Sequence, residues 1–183
     1  MNTPAQPQMP PLIVDLDGTI VLGETSWASV GESFRRNPIA ALVAAFDYLG
    51  GRAAGKRAFA KIARPKPDRL SYRGPLIKYL EKERKRGRSL HLVSGADQMI
   101  VDEIGKHLGL FESVRGSDGV TNLRGAVKLA WLDARFPNGF DYVGDSAADL
   151  PIWRAIGRAM LVGRAINFAS SLREEGVHIL ATI

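Results

Sequence analysis

The sequence predicts an α/β protein: a parallel sheet covered on both faces by helices, with a small helical insertion after the first strand. Three observations carry this. Short apolar runs recur along the chain, and each ends in acidic, hydroxyl or glycine residues. Segments of helical period alternate with those runs, the pattern of a parallel sheet with crossover helices. The stretch from Val21 to Arg73 breaks the alternation, because it lacks a clear strand and is rich in alanine, arginine and lysine. A chain of 183 residues is long enough for one domain with a real core and a small inserted module.

Leu12-Ile13-Val14 is apolar at every position and reads as a buried parallel strand with functional groups at its carboxyl end. Ser89 to Val93 ends the same way at Ser94-Gly95, and Phe140 to Val143 at Gly144-Asp145. Ala159 to Val162 is a further apolar piece, closed by Gly163. Helices are predicted over Leu76 to Arg86, stopped by Gly87, and over Asp97 to Leu108, stopped by Gly109. Two more are predicted over Ala126 to Phe136 and Asp149 to Ile156. Within the insertion, Asn37-Pro38 and Gly50-Gly51 mark breaks between two or three helices, and Arg64-Pro65-Lys66-Pro67 marks the exit. The expected organisation is a loose tail over residues 1–11, a core over 12–20 and 74–183, and a helical cap over 21–73. A cap so placed hangs over the carboxyl ends of the strands, where open α/β sheets bind ligands.

Composition restricts the chemistry. The chain has no cysteine, which excludes disulfides, thiolate metal sites and a cysteine nucleophile. A net charge of +6 favours anionic partners such as a phosphorylated substrate or an acidic membrane surface. Nucleic acid is not expected, because the basic stretches carry few interleaved aromatics and no recognisable module. Met1 to Pro11 shows no cationic region leading into a long apolar run, so no secretory signal is read. No apolar stretch approaches the ~20 residues that span a bilayer. A soluble cytoplasmic protein is expected, with peripheral membrane contact as the alternative.

The strongest chemical signal is Asp15-Leu16-Asp17-Gly18-Thr19 directly after a strand. Two carboxylates two residues apart in a tight loop can aim at one point, one attacking phosphorus and the other handling a proton. A carboxylate approaching a phosphate dianion is repelled, and a divalent cation between them removes the repulsion. Magnesium suits the role, since it prefers oxygen ligands and accepts substrate oxygens. Taken alone the motif also fits an acidic Asp-Gly turn. Asp145 and Asp149 follow another strand and open a helix; capping could account for Asp149 but leaves Asp145 unexplained. Ser94-Gly95 can hold phosphate oxygens through a hydroxyl and a backbone N–H, or can simply cap a helix. Lys128 could offset the clustered carboxylates and a bound phosphate, or could be a solvated charge.

In this order the four elements resemble the signature of the haloacid dehalogenase-like hydrolase superfamily. Asp15-x-Asp17-Gly18-Thr19 resembles its first motif, Ser94 the second, Lys128 the third and Gly144-Asp145-x-x-x-Asp149 the fourth. The resemblance implies a Rossmann-like three-layer sandwich with strand order 3-2-1-4-5 and a C1-type cap after strand 1. It also implies a phosphatase that works through an aspartyl-phosphate on Asp15, with Asp17 as general acid and base. Magnesium would be held by Asp15, the backbone carbonyl of Asp17, and Asp145, with Asp149 acting behind them. Ser94 and Lys128 would bind the transferring phosphoryl group, helped by Leu16, Thr19 and Gly95. The second aspartate argues for phosphoryl chemistry, since expelling a halide needs no proton donor. A phosphomutase with the same intermediate, and a non-catalytic binding module, are the competing classes. The second requires loss of Asp15, Asp17 or Asp145, and all three are present.

The run from Phe111 to Gly125, together with Phe140 to Ser146, is similar to the hydrolase module upstream of UbiA-type prenyltransferases. That resemblance implies a small phosphorylated substrate, prenyl- or sugar-linked, and a link to a membrane prenyltransferase system. Basic residues crowd the insertion from Arg52 to Arg73, and a second run spans Lys82 to Arg88. Both read either as attraction for an anion or as solvated helix faces, the second at least as well as the first. Ile39 to Phe46 reads as core of the cap rather than as a membrane contact, a ranking that an exposed apolar face on this helix would reverse.

Overall fold

The computed structural model describes residues 9–183; the first eight residues of the expected tail lie outside the described residues. Six strands form one parallel sheet in the order β3-β2-β1-β4-β5-β6. They are β1 (Leu12–Val14), β2 (Leu90–Asp97), β3 (Ser113–Ser117), β4 (Asp141–Gly144), β5 (Arg158–Leu161) and β6 (His178–Thr182). The expected order 3-2-1-4-5 holds and is extended at one edge by β6. Pro10 and Pro11 are tied to this frame: Arg88 Nε donates to the Pro10 carbonyl and the Asp141 N–H to that of Pro11.

The strand β1 is central and fully buried, because its alternate side chains enter two different cores. Leu12 and Val14 join Leu76 and Leu80 of α4 (Gly74–Lys85) and Ile100 and Ile104 of α5 (Gln98–Leu108). Ile13 joins Leu132 of α6 (Ala126–Arg135), Ile152 and Trp153 of α7 (Leu150–Ile156) and Leu172 of α8 (Ala169–Glu174). This two-sided burial explains why β1 reads as a continuous apolar run. Each large aliphatic side chain so enclosed contributes roughly 1.5–3 kcal/mol.

Between β1 and α4 lie α1 (Thr25–Arg36), α2 (Pro38–Phe46) and α3 (Arg52–Ile62). Asn37 separates the first two by capping α2: its side chain accepts the Ala40 N–H, and Pro38 occupies the first helical turn. Gly51, at φ +115°, makes the second break. Three side-chain contacts fasten α3 and the segment just after it to the sheet side. Lys56 Nζ donates to the Gly95 carbonyl, Arg57 pairs with buried Asp97, and Arg64 pairs with Glu103.

Several details differ from the sequence expectations. The strand β2 runs on to Asp97, so Ser94 lies within it, and Asp97 caps α5 by accepting the Met99 N–H. The simple capping reading of Ser94 is thereby removed. The run Lys82 to Arg88 is not wholly solvated. Glu83 and Arg88 are buried, and Arg88 pairs with both Glu83 and Asp141. The run Ile39 to Phe46 enters the core of the helical insertion only through Ala41 and Ala44, which pack with Phe59, while its larger side chains are exposed.

Candidate active site

Parallel neighbours end at the same edge of a sheet, so β1 and β4 deliver Asp15 and Asp145 to one place. The Asp15 N–H still bonds the Val143 carbonyl at 3.0 Å, which fixes Asp15 at the strand tip. The chain then turns tightly, with the N–H groups of Thr19, Ile20 and Val21 all directed at the Leu16 carbonyl. Gly18 lies in this turn at φ +74°, and a Cβ there would sit 2.2 Å from Asp145 Oδ2. The motif glycine is therefore required by close approach as well as by φ. Gly18→Ala should lower unfolding stability by ~2 kcal/mol or more, through backbone strain and displacement of Asp145. Scanning calorimetry reads this, and an unchanged midpoint would mean that the two loops part freely.

Lys128 comes from the first turn of α6 and is buried. Its Nζ donates to Asp15 Oδ1 at 2.9 Å and to the Tyr142 hydroxyl at 2.8 Å. That hydroxyl in turn donates to Asp149 Oδ1 at 2.7 Å, while Asp149 Oδ2 accepts the Ser146 N–H. A buried relay thus joins Lys128, Tyr142 and Asp149 behind Asp15. Removing its only cation would leave buried carboxylates uncompensated. Lys128→Met is accordingly expected to cost about 3 kcal/mol at neutral pH and markedly less near pH 4, where carboxylates take up protons. Urea unfolding at the two pH values measures it; an equal loss at both would assign the effect to packing.

One carboxylate oxygen each from Asp15, Asp145 and Asp149 lies within 4.8 Å of the other two. Burial, reinforced by the Asp15 charge, pushes the Asp149 carboxyl up to about 6. Burial also raises Asp145, although Arg164 Nη2 donates to its Oδ2 at 3.0 Å. Three crowded, hard oxygen donors, with Asp145 and Asp149 raised in proton affinity, suit a small divalent cation, whose charge would relieve their crowding. Asp17 stands apart from this cluster. Its Oδ1 accepts the Thr25 N–H at 2.8 Å, and burial lifts its carboxyl to about 7.

These groups line one cavity of about 60 Å³, together with Ser94 and Gly95 at its side. Of the predicted site residues, Asp15, Asp17, Ser94, Gly95, Lys128, Asp145 and Asp149 are brought together there. Leu16 and Thr19 are completely buried, and neither side chain reaches the cavity. Of the other charged lining residues, Glu24 and Arg164 escaped sequence reasoning, Lys56 was read only among the basic residues of the insertion, and Arg124 only within the run from Phe111 to Gly125. Tyr142 was visible only as part of an apolar run.

The comparisons with known proteins agree with this architecture. Residues 12–154 match the family described as haloacid dehalogenase-like hydrolase, and the chain belongs to that family. It is 43% identical over 169 residues to the protein y4nM of Sinorhizobium fredii (strain NBRC 101917 / NGR234). That match takes in 92% of this chain but only 33% of y4nM, so the chain spans about a third of its relative's length. Among solved structures, a Bordetella pertussis Tohama I protein of unknown function superposes with a TM-score of 0.67 at 14% identity, covering 94% of this chain and 98% of that one. A substrate-bound phosphoserine phosphatase superposes with a TM-score of 0.61 at 16% identity, covering 95% and 93%. Likeness at such identities concerns the fold.

Proposed function

We propose that the protein is a magnesium-dependent phosphomonoesterase that works through an aspartyl-phosphate on Asp15. The observation that carries this reading is the pairing, in one loop, of a carboxylate held by the buried Lys128 ammonium with a second one that accepts the Thr25 N–H. Asp15 is held by Lys128 beside the carboxylate cluster, while half-buried Asp17 keeps a proton up to about pH 7. A carboxylate nucleophile next to a group that can donate a proton is what phosphoryl transfer to a carboxylate requires.

In this reading Asp15 attacks phosphorus, and the bond from phosphorus to the leaving oxygen breaks. Asp17 gives its proton to that oxygen. The same carboxylate then takes a proton from water, whose oxygen attacks phosphorus, releases phosphate and restores Asp15. Lys128, Ser94 Oγ and the Gly95 N–H hold the phosphoryl oxygens. Asp15 and Asp145, with the Asp17 carbonyl, would hold magnesium, and Asp149 would steady Asp145 and Lys128 through Tyr142 and Ser146. The cation, when bound, neutralises charge between nucleophile and phosphate. Residues 12–20 and 74–183 form the catalytic core in this reading, and residues 21–73 the C1-type cap.

The cavity walls also bear on the substrate. Lys56 and Arg124 line it, and among the described residues no large apolar side chain does. This supports a compact leaving group bearing a second anion over a prenyl chain. A link to a membrane prenyltransferase system therefore rests on the sequence resemblance and on the greater length of y4nM.

The test is phosphate release from small anionic phosphomonoesters and from prenyl phosphates, with magnesium and with a chelator. Turnover of the former that vanishes on chelation supports the proposal. Transfer to a second hydroxyl without free phosphate would make the protein a mutase. Inactivity across the panel with magnesium bound would favour a binding role.

A further inference from the structure

The outer face of the cap is built in reverse. A surface helix normally turns its large apolar residues inward. In α2 the inward residues are Ala41 and Ala44, whereas Ile39, Leu42, Val43 and Phe46 are 77%, 59%, 65% and 65% exposed. Their spacing of three, four and seven residues lines them up as one stripe along the helix. Leu49 in the following turn is 87% exposed and continues it, and Trp27 of α1 is 71% exposed. Together they leave several hundred square ångströms of apolar surface in water, at the upper end of what monomers tolerate.

We propose that this stripe docks on an anionic lipid bilayer, with α2 lying in the interface. Three observations select lipid as the occupant. First, α2 packs mainly on α1, α3 and the turn that follows it, so its other side faces outward. Second, residues 38–46 contain no polar side chain. A protein interface needs directional partners about every 100–200 Å² and ~800 Å² per partner, whereas acyl chains need no partners and a helix of ~14 Å can sink into them. Third, cations bracket the stripe. Arg35 and Arg36 precede it, exposed Arg52 follows it, and the chain carries +6 overall. Glu32, which bonds both Arg35 and Arg36, and exposed Asp47 reduce this rim without reversing its sign. An apolar stripe with a positive rim is complementary to acidic headgroups over acyl chains. The inference stands on the cap surface and is independent of the reaction proposed above.

The experiment is co-sedimentation of the full chain with vesicles of mixed phosphatidylglycerol and phosphatidylcholine, and with vesicles of phosphatidylcholine alone. The wild type should partition onto the mixed vesicles and more weakly onto the neutral ones. The double variant Leu42→Ser, Phe46→Ser should bind at least about tenfold more weakly. Both side chains are solvent-exposed, so its circular dichroism and thermal midpoint should match the wild type. No partitioning by the wild type overturns the proposal, as does a variant that binds equally well, which would reduce the effect to net charge. A dimer in sedimentation velocity that the variant abolishes, without vesicle binding, would assign the stripe to a second copy and likewise overturn it.

Discussion

Asp15→Asn should hydrolyse phosphomonoesters roughly 10⁴-fold more slowly than the wild type, or worse, while unfolding at a higher temperature in the absence of metal. The first half follows from the proposed chemistry: an amide oxygen is a poor nucleophile, and a catalytic unit that loses its nucleophile retains little. The second half follows from the charges. Asp15 raises the proton affinity of Asp17, Asp145 and Asp149, so its negative charge is felt as repulsion by three neighbours. Against that stands one ion pair, Lys128 at 2.9 Å, and Lys128 keeps Asp149 at 4.0 Å when Asp15 is neutral. An asparagine Oδ1 can still accept the Lys128 proton, so the hydrogen bond survives. Relief of three repulsions should outweigh one weakened attraction by ~1 kcal/mol, a function-for-stability exchange common at active sites. Thermal melts in chelator, with parallel phosphate assays, read both halves. A variant both inactive and less stable would show that the Lys128 pair dominates the local energetics.

The parts of this design legible in the sequence were those encoded locally. The strands β1 and β4 announced themselves because buried parallel strands are continuously apolar and their tips carry Asp15 and Asp145. Asn37-Pro38 and Gly50-Gly51 marked the breaks between the inserted helices because capping and positive φ have strong residue preferences. The strand β3 escaped because Ser113–Ser117 offers a single large apolar residue, and β6 because an edge strand alternates between exposed and half-buried positions. The failure at α2 has a different cause. Its apolar run was read as core because burial usually follows hydropathy, and periodicity gives no sign of which side of a uniformly apolar helix will face the protein. The relay behind Asp15 was hidden for a third reason. Tyr142 and Asp149 lie seven residues apart and Lys128 fourteen from Tyr142, and only the packing of α6 and α7 against β4 makes one hydrogen-bonded chain of them. Lys56 likewise reaches the cavity from a cap helix thirty-nine residues before Gly95.

Asp17→Asn should separate leaving groups and flatten a stability profile in the same protein. If Asp17 protonates the departing oxygen, its loss should slow hydrolysis of alkyl phosphates by about 10²–10⁴-fold. Aryl phosphates, whose phenolate leaves without a proton, should suffer much less in the first step. Equal losses on both classes would instead implicate the later attack of water. The pH dependence follows from burial. Asp17 titrates near 3.8 in the unfolded chain and about 7 in the folded one. Between those values the folded state keeps a proton that the unfolded state has released. The stabilisation this gives is complete below about pH 4 and is lost as pH rises through 7, for a total of a few kcal/mol. Asp149, raised to about 6, adds a smaller loss of the same sign. The metal-free wild type should therefore become steadily less stable from about pH 4 to pH 7. The asparagine variant keeps the Thr25 N–H bond through its Oδ1 and has no proton to lose, so its profile should keep only the part of the slope that Asp145 and Asp149 contribute. Thermal midpoints across that range in chelator measure the difference. Parallel profiles for the two proteins would mean that Asp17 is already ionised in the folded state, and the assignment of Asp17 as the proton donor would fail with it.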